Sequence, residues 1–296
     1  MVISCPVCGS PRLDQSITTP RLQVFRCPVC AHRVAVHQAP AQTTIDYHEQ
    51  YDQGGFLESL ASTRQRQAAV IIELIRRRLP DADRLLDFGA GRGWFLEACR
   101  AAGFQSLAGV DTSELAVGSL QARRFAAMTL SPSTDYAEPL RRLPFRPRIL
   151  SLLDVVEHFP PGQLQPLLAS ILRGLQPELK LVIIKVPDAG GLLYRGARLM
   201  ARVGRTGPVE QLYQVGTDPP HFSYFTQGSM RRLLESLGLA LVATQGDRDF
   251  EPESLKERAR ALAQRPAIAS LAGTAATAVV NITGWFDATI FLATRR

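Results

Sequence analysis

The chain has 296 residues, 46% of them hydrophobic and 21% charged. These are ordinary globular values and exclude a disordered, collagenous or low-complexity chain. The length allows one large domain or two small ones with a full core, and five cysteines are too few for a disulfide scaffold of this size. The net charge is +7 and only three of the 34 basic residues are lysines (Lys180, Lys185 and Lys256). A GC-rich genome accounts for such an arginine excess as readily as an anionic partner does. Cys5 and Cys8 stand where a signal peptide would be, so the chain reads as cytoplasmic and reduced.

Residues 1–40 form the first expected module. Cys5-Pro-Val-Cys8 and Cys27-Pro-Val-Cys30 are two CxxC knuckles with 18 residues between them. Two residues between cysteines let both sulfurs of a knuckle reach one ion, and two knuckles complete a tetrahedron. The pattern is that of a zinc ribbon with a structural Zn2+, because so short a segment has too little core to fold unaided. His32, just past the second knuckle, reads as a bystander.

Residues 41–296 form the second expected module. Residues 47–51 are polar and aromatic, and 61–79 read as a helix with Val70, Ile71, Leu74 and Ile75 on one stripe, ended by Pro80. From Arg84 onward strands and helices alternate. Strands are predicted at 84–88, 107–110, 126–130, 148–153, 180–186, 239–244 and 288–294. Helices are predicted at 94–102, 113–124, 162–175 and 229–237. This alternation predicts an α/β, Rossmann-like, seven-stranded, mostly parallel sheet with helices on both faces. Residues 267–286 carry no charge and are long enough to span a membrane, but their polar content (Ser270, Thr274, Asn281) favours a core helix. Cys99, within a predicted helix, reads as core.

The first βα turn reads Asp87-Phe88-Gly89-Ala90-Gly91-Arg92-Gly93. Glycines there allow a backbone to approach a ligand closely. Asp111 ends the next strand, 24 residues after Asp87, where a carboxylate can accept from both hydroxyls of a ribose. A dinucleotide fingerprint would need glycine at position 94, which is Trp94. The order D-x-G-x-G-x-G resembles instead the class I S-adenosylmethionine-dependent methyltransferases. The resemblance extends through Leu153-Asp154-Val155-Val156-Glu157-His158, the 181–187 strand, and His221-Phe222-Ser223-Tyr224-Phe225-Thr226. Among these enzymes the chain resembles the ubiquinone-biosynthesis O-methyltransferases and shares the Glu-His…His layout with the small-RNA 2′-O-methyltransferases as well, and residues 47–51 resemble the leading lid of the former. The resemblance implies a donor site in which Asp87, Gly89 and Gly91 contact the methionine part and Asp111, with Thr112, holds the ribose. Leu153 and Asp154 would pass under the donor, and the adenine would lie near Thr134 and Asp135.

Open α/β sheets place sites at the carboxyl ends of their strands. Glu157 and His158 fall there and His221 follows the fifth strand, so these three are the candidate catalytic residues. The resemblance also suggests a divalent ion such as Mg2+ at Asp154, Glu157, His158 and His221, which would lower an acceptor hydroxyl's pKa; a histidine base or a structural role are the alternatives. The insertion at 190–227 brings Arg195, Arg198, Arg202 and Arg205 onto one helical face, suited to a hydrophobic or anionic acceptor, or to peripheral contact with a membrane surface. Tyr194, Tyr213, Tyr224 and Phe225 are candidates to line the acceptor pocket. The leading reading is methyl transfer to a hydroxyl of a small molecule. An RNA methyltransferase that uses the ribbon to touch RNA, and a non-catalytic binding protein, are the alternatives. Neither the acceptor nor the oligomeric state is encoded in these motifs.

Overall fold

In the computed structural model the described residues are 4–38, 45–46, 56–131, 133, 135–248 and 277–296. The 47–51 segment, Thr134 and residues 267–276 lie outside them. The chain divides into two compact units: Met1–Thr63 with Pro187–Ser229 and Gly246–Thr289, and Arg64–Val186 with Met230–Gln245 and Ile290–Arg296.

The first unit begins with three antiparallel strands, β1 (Asp14–Thr18), β2 (Leu22–Arg26) and β3 (Arg33–His37). The two knuckles have the same local geometry. Gly9 and Ala31, each four residues past the first cysteine of its knuckle, take left-handed φ values of 70° and 60°. Each returns its N–H to that cysteine's carbonyl, at 2.9 and 3.0 Å. After a short strand β4 (Ile45–Asp46), the unit resumes with the insertion, which supplies two helices and two short strands, the second of which is the fourth strand of the ribbon sheet. Ser223 and Tyr224 pair antiparallel with Val34 and Arg33. Leu22, Val24, Ala35 and Tyr224, on one face of that sheet, pack with Tyr194, Ala197, Val209 and Tyr213 into a separate core. Tyr194, Tyr213, Tyr224 and Phe225 are all buried, so these rings are packing residues here and do not line an open acceptor cavity. His32 is buried as well, with its ring 4.8 Å from that of Phe225.

The helix α1 (Phe56–Arg78) starts five residues before the predicted boundary, and the second unit begins within it at Arg64. The sheet follows: β5 (Arg84–Phe88), β6 (Ser106–Asp111), β7 (Ala126–Thr129), β8 (Ile149–Leu153) and β9 (Leu181–Pro187) pair in parallel. Between them lie α2 (Trp94–Ala101), α3 (Glu114–Ala122), α4 (Ala137–Arg141) and α5 (Leu164–Leu175). In the insertion come α6 (Leu192–Arg202), α7 (Gly207–Leu212), β10 (Thr217–Asp218) and β11 (Ser223–Tyr224). The chain then continues through α8 (Gln227–Ser236), β12 (Leu239–Asp247) and β13 (Ala288–Arg295). The sheet order is β12-β13-β9-β8-β5-β6-β7. Its strands are near-continuous apolar runs, as strands covered on both faces must be; every residue of β9 is buried. The order reverses at β5, between β8 and β6, which is where such sheets leave a crevice for a ligand.

Two expectations change. Residues 277–283 form a short helix in which only Val280 is buried, so the described end of the predicted core helix is a surface element. Among the described residues no helix is long and apolar enough to cross a membrane. The outer side of α6 is not purely basic: Leu193, Leu199 and Met200, with Val203 just after it, are exposed beside Arg195 and Arg202.

Candidate functional site

The glycine loop joins β5 to α2 at the switch point. Gly89, Gly91 and Gly93 have φ values of 74°, 48° and 73°, a region that penalises residues with a Cβ. A Cβ on Gly89 would come within 2.5 Å of Val155 Cγ2, whereas one on Gly91 would point into open space. Gly91 therefore presents open backbone at the switch point. Asp111, at the end of β6, accepts from the Gly91 N–H at 2.7 Å through Oδ2 and from the Ser113 N–H at 2.9 Å through Oδ1. A carboxylate has about four acceptor positions, so lone pairs remain for ribose hydroxyls. Thr112 next to it is exposed.

Asp87 has a different environment from its predicted role. It is buried within the sheet, paired across to Gly109 and Ser151, and Oδ1 accepts from the Ser151 hydroxyl at 2.7 Å. Burial raises its carboxyl to about 7, against the Ser151 hydrogen bond. It shapes the loop from below.

Leu153 and Asp154 end β8. Asp154 takes a left-handed φ of 57° and receives both the Lys185 ammonium, at 2.8 and 3.0 Å, and the Arg64 guanidinium. Burial alone would raise this carboxyl, but the two cations outweigh it and hold it well below the usual carboxylate range. A divalent ion placed on Asp154 would face two positive charges already bound there, so Asp154 does not fit as the expected Mg2+ ligand. Glu157 and His158 lie in the single 3-10 turn, Val156–His158, that follows, with Glu157 fully buried and His158 partly exposed. His221 belongs to the first unit; it is buried, its N–H donates to the Tyr213 carbonyl at 3.1 Å, and its carbonyl bonds His37 Nε2 at 2.9 Å. Asp135, expected near the adenine, is committed to Arg173 at 2.6 Å and to the Ala137 N–H at the start of α4.

Lys185 and Arg64 were missed in the sequence. Lys185 carried a readable signal: one lysine inside the otherwise apolar run Leu181–Pro187 must find a buried partner. Arg64, in a helix rich in arginine, carried none.

The four thiols converge. Cys5 and Cys30 sulfurs are 3.5 Å apart, as are Cys8 and Cys27, and the set lies within 4.8 Å. Sulfurs about 2.3 Å from one zinc stand about 3.8 Å from each other, so the cluster fits a closed, tetrahedral Zn2+ site. Cys99 is separate and buried in the core of the second unit.

Two outcomes are expected from this geometry. A folded-state carboxyl raised to about 7 binds a proton that the unfolded chain has lost above about pH 4, so Asp87 removes stability as pH rises from 4 to 7. Asp87→Asn keeps an acceptor for Ser151 without the charge. Its denaturation midpoint should gain on wild type across that window; parallel profiles would show that Asp87 is not the titrating group. Metal analysis of the reduced protein should find one zinc per chain, lost in Cys27→Ser, with faster amide exchange in β1–β3.

No curated protein matches the sequence. Among solved structures, the chain resembles the protein described as the putative methyltransferase in a complex with the Haloferax volcanii Trm112 methyltransferase activator. They share 13% identity over 86% of this chain and 99% of that one, with a TM-score of 0.51. It also resembles the plantazolicin methyltransferase BamL, bound to S-adenosylhomocysteine and a triazolic desmethylPZN analogue. Here identity is 12% over 81% of this chain and 87% of that one, with a TM-score of 0.50. Such likenesses speak for the fold. Residues 60–244 match the family model described as a methyltransferase domain; with more than half its length matched and the class I fold in place, the chain belongs to the S-adenosylmethionine-dependent methyltransferase-domain family.

Proposed function

We propose that the protein transfers a methyl group to a hydroxyl oxygen of a small-molecule acceptor. The observation that supports the donor half of this reading is the arrangement at the switch point: an open backbone approach at Gly91, and Asp111 tying that loop to the next turn with lone pairs to spare. When bound, S-adenosylmethionine supplies an electrophilic methyl group on a sulfonium. Asp111 accepts from the ribose hydroxyls, and the Gly89–Gly93 loop lets the backbone close on the methionine part. Leu153, half-buried at the end of β8, offers an apolar edge under the donor. Asp154, with its charge already satisfied by Lys185 and Arg64, fixes the loop after β8.

A hydroxyl acceptor must lose its proton as the new bond forms. His158 is the group we assign to take it, with buried Glu157 beside it to favour the charged imidazolium. His221 is the second histidine candidate. Methyl transfer otherwise depends on alignment. The mixed arginine and leucine exterior of α6 supports an acceptor, or a surface holding it, that is both apolar and anionic.

Calorimetric titration with S-adenosylmethionine, S-adenosylhomocysteine and NAD should give heat for the first two only. Asp111→Asn should weaken donor binding roughly 10-fold or more, the worth of a charged hydrogen bond; unchanged affinity would sink the donor assignment. His158→Gln should keep donor affinity and lose roughly 100-fold or more in turnover. An unaltered rate would remove His158 as the base, and tight, strongly salt-dependent RNA binding would favour a nucleic-acid acceptor.

A further inference from the structure

Arg33 opens β3, three residues past the second zinc knuckle. Directly paired residues of antiparallel strands point to the same face. The register places Arg26 on one side of Arg33 and Tyr224 on the other. The row across the sheet is therefore arginine, arginine, tyrosine, and like charges opposite one another repel. Arg33 is also the buried member, 7% exposed, while Arg26 is exposed. It lies at the border of the small core made by Val24, Ala35, Tyr194, Tyr213 and Tyr224.

A buried guanidinium ordinarily has a carboxylate beside it. Burial lowers the Arg33 guanidinium, and Tyr194, Arg26, Tyr213 and Arg198 are the phenolic and charged groups that act on it most strongly. Tyr224, its direct cross-strand partner, sets its ring 4.8 and 4.9 Å from those of Tyr194 and Tyr213, whose hydroxyls meet at 3.1 Å. Arg33 Nε and Nη1 have no acceptor among the described residues. Glu210, in the insertion, is paired with Arg21 at 2.7 Å. Arg33 thus has an arginine opposite it on one side and the tyrosine cluster on the other, with Arg198, one turn past Tyr194 on α6, adding to the positive charge. Each feature is costly alone, and each is relieved by one kind of ligand.

We propose that Arg33, with Arg198 and the Tyr194–Tyr213 hydroxyl pair, binds an oxyanion: the phosphate or carboxylate group of a ligand held by the ribbon and the insertion. An oxyanion accepts from both idle N–H groups of Arg33 and neutralises the Arg26–Arg33 repulsion. Arginine is the side chain best matched to such groups. The assignment is independent of the methyl-transfer site, since every residue in it belongs to the first unit.

Titration calorimetry on the zinc-loaded full chain tests this, with inorganic phosphate in one arm and acetate in the other, at fixed ionic strength. Saturable binding to one site is expected, weakening as sodium chloride is raised. The tighter arm identifies the ligand group. Arg33→Met keeps the bulk without the charge and should reduce affinity at least roughly 10-fold, consistent with loss of a charge-assisted hydrogen bond. Arg198→Gln, at a half-buried surface position, should weaken binding by a smaller factor, and covers the case in which Arg33→Met fails to retain zinc. Absence of saturable heat in both arms would overturn the proposal. So would equal affinity in wild type and both variants.

Discussion

Two backbone N–H groups, from Gly91 and Ser113, donate to the two oxygens of one carboxylate, Asp111. The first belongs to the loop after β5 and the second to the turn after β6. One side chain therefore fixes two βα turns to each other, and the open surface at Gly91 depends on that link. The rest of the second unit serves it. Gly109, on β6, has Ala90, Leu96 and Leu120 so close that a Cβ there would lie 2.8–3.0 Å from their side chains. The glycine loop is thus backed by a helix and strand that have closed to contact, and close packing of this kind resists deformation.

A second constraint holds the neighbouring loop. Lys185 is 1% exposed, and a buried ammonium is tolerated only when it is paired and hydrogen-bonded. Asp154 supplies the pairing, and Arg64 from α1 closes a three-membered ion cluster around it. Removing one partner of such a cluster costs more than the cluster adds, because the others are left buried and unmatched. That asymmetry favours one fixed course for the chain between β8 and the turn carrying Glu157 and His158. The same fact removes Asp154 from any metal set, although its sequence context suggested one.

The βαβ alternation made the sheet legible, because each apolar run was bounded by turn residues and separated by a helical period. The glycine loop and Asp111 were legible for a chemical reason: few sequences need three closely spaced glycines before a helix. The two CxxC knuckles were legible by spacing alone. Other features were hidden by their range. That Ser223 and Tyr224 extend the ribbon sheet follows from a pairing between residues almost 190 positions apart, and a two-residue strand carries no periodicity. The tyrosines of the insertion looked like substrate contacts because aromatic residues near a site have two uses; burial against the ribbon decided for packing. Arg33 was invisible as well, since one arginine among so many says nothing until its neighbours are known.

The late fourth strand of the ribbon also sets an order of events during synthesis. Both knuckles and β1–β3 leave the ribosome first, so zinc can be bound early. The strand that covers the free edge of β3 is made about 190 residues later, roughly 10–40 s at ordinary elongation rates. For that interval β3 is an exposed sheet edge with Val34 and Ala35 in it, the kind of surface that pairs with other chains. The nascent protein is most open to wrong strand pairing while the second unit is being made. Arg33 at the head of that edge, and Arg26 across from it, put two like charges where a second copy would have to dock.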